Sequence, residues 1–240
     1  MTRRGLAGLL ALLPTAARAE APEFAPPPGA ALPLSLALRD SADRPVTLGE
    51  ALDGLPAVFA FADYGCTTLC GTAIGLAAAM LPSTGLVPGR DYRLLVLGLD
   101  PADDPAAAEA MRRAWLGESG ALAETSRFLL GSASAVTAAT AALGFQAVRQ
   151  GDGFDHPLAL FVLRPDGHLA AALPALGAEP EEVRAALRGV PGLIARVRLV
   201  CAAATGHASL LGPMLATGGA ATLGLMAGGF LLLRRLERRA

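Results

Sequence analysis

The chain has 240 residues, of which 53% are hydrophobic and 17% charged, with a formal net charge of −1. A balance so close to neutral removes the electrostatic basis for nucleic-acid binding. The length allows one globular domain with a sizeable core between two termini of different character.

The N-terminus opens with Thr2-Arg3-Arg4, then an uncharged stretch from Gly5 to Ala17, then the small-residue site Ala17-Arg18-Ala19. This is the pattern of a secretory signal occupying residues 1–19 and cut after Ala19. The apolar run is too short to span a bilayer. A twin-arginine signal is the variant reading, but Gly5-Leu6-Ala7 continues that motif poorly. Residues 20–31 hold Pro22, Pro26, Pro27, Pro28 and Gly29, an extended lead-in.

Residues 32–190 alternate short apolar segments with helical ones, the signature of a layered α/β domain. Strands are predicted at Leu34–Leu38, Ala57–Phe61, Tyr92–Leu99 and Leu158–Leu163. The turn Arg164-Pro165-Asp166-Gly167 then leads to a return strand near His168–Ala172. Helices are predicted at Thr68–Met80, Pro105–Leu116, Ser132–Leu143 and Glu179–Leu187. Asp104 caps the second of these before a proline at its first position, and Ser132 caps the third.

Beyond a juxtamembrane segment, 191–209, the stretch from Leu210 to Leu233 carries no charge, and Arg234, Arg235, Arg238 and Arg239 follow it. It is long enough for a tilted transmembrane helix, and the arginines assign the tail 234–240 to the cytoplasmic side. The signal and the arginine block thus give one orientation: a bacterial inner-membrane protein with its domain in the periplasm.

The chemistry concentrates at Cys66-Thr67-Thr68-Leu69-Cys70, directly after the apolar strand Ala57–Phe61. Thiols spaced i and i+4 share a face where the segment is helical, and a helix N-terminus lowers thiol pKa values. Two soft sulfur donors joined by the imidazole of His156 would make a copper-type ligand set. The same two cysteines could close as a disulfide instead. Closing so short a loop adds little chain-entropy stabilisation, which weakens a purely structural role. His156 follows Gly151-Asp152-Gly153-Phe154-Asp155, and the glycines would let it swing onto the thiols. His168 reads as a surface residue and His207 as interfacial. Cys201 reads as a small partly buried residue, and Met80 and Met111 as packing.

These residues resemble the Sco/SenC family, thioredoxin-like copper chaperones that help assemble the copper centre of cytochrome c oxidase. The resemblance runs from about Leu34 to Leu187. Leu38-Arg39-Asp40 with Arg44-Pro45-Val46-Thr47-Leu48 is similar to the family's opening hairpin. Phe59 to Cys70 is similar to its strand and CxxxC loop, and Leu94 to Pro101 to its central strand and Asp-Pro turn. Asp155-His156 with Leu158–Leu163 and Pro165-Asp166-Gly167 is similar to its histidine loop and hairpin. Family members usually carry a proline after the first cysteine, where this chain has Thr67, and an N-terminal membrane anchor.

The resemblance implies a thioredoxin-like fold, to which the hydropathy adds the C-terminal transmembrane helix, and it implies Cys66, Cys70 and His156 as ligands of Cu(I) or Cu(II). It implies a metallochaperone rather than an enzyme, whose client is a copper-accepting oxidase subunit or another cuproprotein. A thiol reductase would be a further partner. The alternative is a periplasmic thiol–disulfide oxidoreductase that keeps a client's metal-site cysteines reduced. CxxxC spacing and the histidine disfavour it relative to CxxC. A third reading, an assembly factor that only docks partners, would not need the cysteines.

Overall fold

The computed structural model describes residues 23–66 and 71–189. The signal, Cys70, Cys201, His207 and the expected transmembrane segment therefore lie outside the described residues. Among the described residues, no helix is long and apolar enough to cross a membrane.

A seven-stranded mixed sheet forms the centre. Its strands, in chain order, are β1 (Ala37–Asp40), β2 (Pro45–Thr47), β3 (Ala57–Ala62), β4 (Arg93–Gly98), β5 (Arg127–Gly131), β8 (Ala159–Leu163) and β9 (Leu169–Pro174). They lie side by side as β2-β1-β5-β4-β3-β8-β9. Strands β3, β4 and β5 run parallel, with Ala57 to Ala62 of β3 in register with Arg93 to Gly98 of β4. Strands β1 and β8 pair antiparallel against β5 and β3. A separate two-stranded hairpin joins β6 (Val148–Gln150) to β7 (Gly153–Asp155).

Every residue of β3, β4 and β8 is buried, as apolar runs demand of strands covered on both faces; the charge that opens β4, Arg93, is buried as well and pairs with Asp53. Alternation sends their side chains into two cores. Val58, Ala60, Leu94, Val96, Leu160 and Val162 face α2 (Thr72–Met80), α3 (Pro105–Leu116) and α6 (Pro180–Leu187). Phe59, Phe61, Leu95, Leu97 and Phe161 face α1 (Leu48–Leu52) and α5 (Ala133–Ala142). A short helix, α4 (Ala121–Thr125), leads into β5.

The caps fall where the sequence sets them. Asp104 accepts the Ala107 amide at 2.8 Å with Pro105 opening α3, and Ser132 accepts the Ala135 amide at 3.2 Å at the start of α5. Three strands expected from the apolar runs appear within a residue or two of their predicted bounds, whereas the first lies later in the chain, at Ala37–Asp40. There Leu34 and Leu36 use their carbonyls to hold the start of α1, accepting from Gly49 and Leu48. Strands β5, β6 and β7 and helices α1 and α4 are additional to the predicted set. The lead-in does not hang free: Phe24 packs edge-on against Phe161 at 5.9 Å, and the Ala25 amide donates to Gly144 at 2.8 Å.

Helix α2, which opens just after the cysteine motif, carries a packing constraint. Trp115 of α3 lies across the surface left bare by Gly71 and Gly75; a Cβ at Gly75 would fall 2.5 Å from the indole ring. Alanine normally gains about 1 kcal/mol over glycine inside a helix, but overpacking here costs about 1–3 kcal/mol. Gly75→Ala is therefore expected to lower stability, and the same change in a Trp115→Ala background to raise it. Urea unfolding of the four proteins of that cycle measures the sign reversal.

Candidate metal and thiol centre

Chain direction decides which loops meet. Because β3, β4 and β5 are parallel, the segments leaving β3 and β4 emerge at one end of the sheet. Because β8 pairs antiparallel to β3, with Phe59 opposite Phe161, the residues entering β8 lie at that same end. Cys66 leaves β3, Asp100 to Asp104 leave β4, and His156 enters β8. The fold thus gathers at one sheet end two of the three residues that the sequence selects, Cys66 and His156, and the third, Cys70, lies outside the described residues. Among the described residues, no group of three or more His, Cys, Asp or Glu side chains is placed to hold a metal ion.

Cys66 sits in a turn, its amide donating to the Asp63 carbonyl at 3.3 Å, and it is disulfide-bonded. The helix expected from Thr68 is seen from Thr72, with Gly71 as an N-cap that offers no side chain. Cys66 itself is therefore not helical.

His156 is half-buried. Its ring lies 6.0 Å from Phe145, which stacks on Phe61 of β3 at 4.5 Å, and its Nδ1 is 3.2 Å from the Pro157 carbonyl. A line of aromatic contacts therefore runs from the strand that carries the cysteine loop to the histidine. Each flanking glycine has a geometric role. Gly151 takes φ +59° in the hairpin turn, and a Cβ on Gly153 would stand 2.9 Å from Asp63 Oδ2. His168 is exposed beside Asp166, and Met111 is buried in the core with Met80 packed against it, as expected of each.

Four residues at this end were not selected from the sequence. Asp63, only 2% exposed, accepts the Gly65 amide on Oδ1 at 3.1 Å and the Phe154 amide on Oδ2 at 3.0 Å. Asp100 accepts the Ala102 amide at 2.9 Å and Arg149 Nη2 at 2.7 Å, and these bonds hold its carboxyl below the usual carboxylate range. The Arg149 guanidinium also covers the Phe154 ring at 4.5 Å. Asp103 is pushed up to about 6 by burial and by the charges of Asp63 and Asp100, and its Oδ2 is buried with no hydrogen-bond partner among the described residues. The available signal was a charged residue, Asp63, closing the all-apolar run of β3. Next to it, Tyr64 is buried, and its hydroxyl donates into the space between the Val96 and Leu129 carbonyls at 2.9 and 3.0 Å.

No protein-family model and no curated protein matches this sequence; the likeness to known proteins is structural. A candidate electron transfer protein from Aquifex aeolicus VF5 superposes with a TM-score of 0.60 at 19% identity, covering 68% of this chain and 93% of that one. Arabidopsis thaliana ScoI, solved with copper bound, gives 0.54 at 14% identity, over 67% of this chain and 98% of that one. BsSco, a member of the Sco family of cytochrome c oxidase assembly proteins described with a disulfide switch, gives 0.50 at 16% identity, over 68% and 96%. This chain has the mixed α/β, thioredoxin-like fold of these Sco proteins.

Asp103 yields a signed pH effect. Its carboxyl keeps a proton when folded at pH values where the unfolded chain, at 3.8, has lost it. Its contribution therefore turns unfavourable as pH rises from about 4 to about 6, and the penalty is complete above that range. The shift corresponds to roughly 3 kcal/mol, reduced by solvent screening at a half-buried site to on the order of 1 kcal/mol. Asp103→Asn should stabilise the protein by that amount near pH 8 and not below pH 4. Equal effects in unfolding curves at the two pH values would contradict the assignment.

Proposed function

We propose that this chain is a Sco/SenC-type copper-binding chaperone whose exported, membrane-anchored domain delivers copper to a cytochrome c oxidase subunit or a related cuproprotein. The observation that carries the reading is the emergence of the Cys66 loop and the His156 loop at one end of the sheet. That sheet belongs to the fold in which ScoI is seen with copper. Cys66, Cys70 and His156 are the proposed ligands. Two thiolates suit Cu(I), and the added imidazole nitrogen suits Cu(II).

Copper loading in this scheme begins from a disulfide-bonded Cys66. We take the partner to be Cys70. A dithiol reductant would supply two electrons and two protons, breaking the S–S bond and becoming a disulfide itself. Copper would then displace the two thiol protons, and His156 would join from the neighbouring loop. Release to a client requires one ligand to withdraw, and the histidine, carried on a different loop from the thiols, suits that part. The second reading, a thiol–disulfide oxidoreductase acting on a client's metal-site cysteines, draws support from the same disulfide.

Cys66→Ser or Cys70→Ser should abolish stoichiometric copper binding, because one thiolate and one imidazole leave a soft ion under-coordinated. His156→Ala should weaken the Cu(II) form far more than the Cu(I) form, with His168→Ala as the matched control. Metal analysis and visible absorption of the reconstituted proteins measure both. Copper retained by the double cysteine variant would refute the ligand assignment. Loss of client-disulfide reduction in that variant, with copper binding absent from the wild type, would favour the oxidoreductase instead.

The proposed topology is testable separately. A reporter active only in the periplasm should work when fused after Val200 and fail when fused after Ala240, and the reverse pattern would overturn the localisation.

A further inference from the structure

We infer that Asp63 is a positioning residue for the proposed centre: it ties the cysteine loop to the histidine hairpin and so fixes where His156 stands relative to the thiols. The inference rests on the copper reading above.

The β6–β7 hairpin is its own two-stranded sheet, with no ladder to the seven-stranded one. Strand β6 is exposed throughout and β7 is only partly covered. An isolated two-stranded hairpin is marginally stable, so its position depends on tethers. Three are present. Phe154 packs against the core, and Arg149 reaches Asp100 at the surface. The third comes from a buried residue: Asp63 Oδ2 accepts the Phe154 amide, two residues before His156, while Oδ1 accepts the Gly65 amide, one residue before Cys66.

A carboxyl at the end of an apolar strand is expensive to bury, and an apolar side chain would complete β3 at lower desolvation cost. What the carboxyl adds is a pair of acceptors facing two different loops at once. Gly153 fits the same arrangement, since any Cβ there would meet Asp63 Oδ2 at 2.9 Å and push the hairpin away. The tether can thus be broken from either side. Asp63→Asn turns one acceptor into a donor facing an N–H, and Gly153→Ala acts from the exposed hairpin while the buried carboxyl stays intact. The second variant keeps the test open should the first fail to fold.

The experiment uses the full-length chain. Amide hydrogen exchange across residues 148–156 is measured on copper-free protein, and Cu(I) and Cu(II) affinities are measured by competition with chelators. In both variants, exchange at Phe154 should accelerate. The ratio of Cu(II) to Cu(I) affinity should fall by at least about tenfold, the size expected when a group orienting a ligand is lost, and the Cu(II) absorption spectrum should shift. Unchanged exchange would overturn the tether. Faster exchange with an unchanged affinity ratio would overturn the positioning role. A wild type that takes up no copper would remove the copper reading, and the ligand-positioning role with it. That outcome is told apart from failure of the tether because the exchange measurement needs no metal.

Discussion

The antiparallel pairing of β8 against β3 is the constraint on which the site depends. With Ala57 opposite Leu163 and Phe59 opposite Phe161, the chain enters β8 at the end of the sheet where it leaves β3. A parallel β8 would deliver His156 to the opposite end. The pairing is secured by burial: both strands are apolar throughout, and a slip of one residue would exchange the phenylalanine face for the alanine and valine face. The Phe59, Phe61, Phe145 and Phe161 rings lock that choice with contacts of 4.5–6.0 Å.

At this end of the sheet the protein places carboxylates where apolar groups would serve stability better. Asp63 is buried and fully employed in joining two loops, while Asp103 nearby has an oxygen with no partner among the described residues and a carboxyl pushed up to about 6. Like charges held close in partly dry surroundings are unfavourable. Asp100 avoids the penalty by pairing with Arg149, which anchors the histidine hairpin from outside. The stability given up here is local, and it is spent at the loops that carry Cys66 and His156.

Much of this was legible in the sequence. Strands β3, β4 and β8 announce themselves because doubly covered strands are continuous apolar runs, and Asp104-Pro105 and Ser132 mark their helices by capping chemistry. Strand β5 escaped because Phe128-Leu129-Leu130 is a short run between Arg127 and Gly131, with no alternation to separate it from a loop. The β6–β7 hairpin escaped because Val148-Arg149-Gln150 is exposed and gives no periodic signal. Cys66 and His156 could be chosen by chemistry alone, but their convergence depends on strand direction, which no local pattern encodes. Asp63 was visible as a charge ending an apolar strand, yet its two acceptors face Gly65 and Phe154, and that long-range contact exists only in the folded chain. The close approach of Gly153 to Asp63 likewise had no local signal, because it is a contact across the fold.

The proposed copper site on this thioredoxin-like sheet is built from one loop bearing thiols and another bearing an imidazole, each tied through a backbone amide to the one carboxylate of Asp63. Copper K-edge X-ray absorption of the copper-loaded full-length chain tests that claim most directly. The predicted result is a first coordination shell dominated by two sulfur scatterers, with the multiple-scattering signature of an imidazole ring added in the Cu(II) form. A shell of oxygen and nitrogen scatterers alone would contradict it.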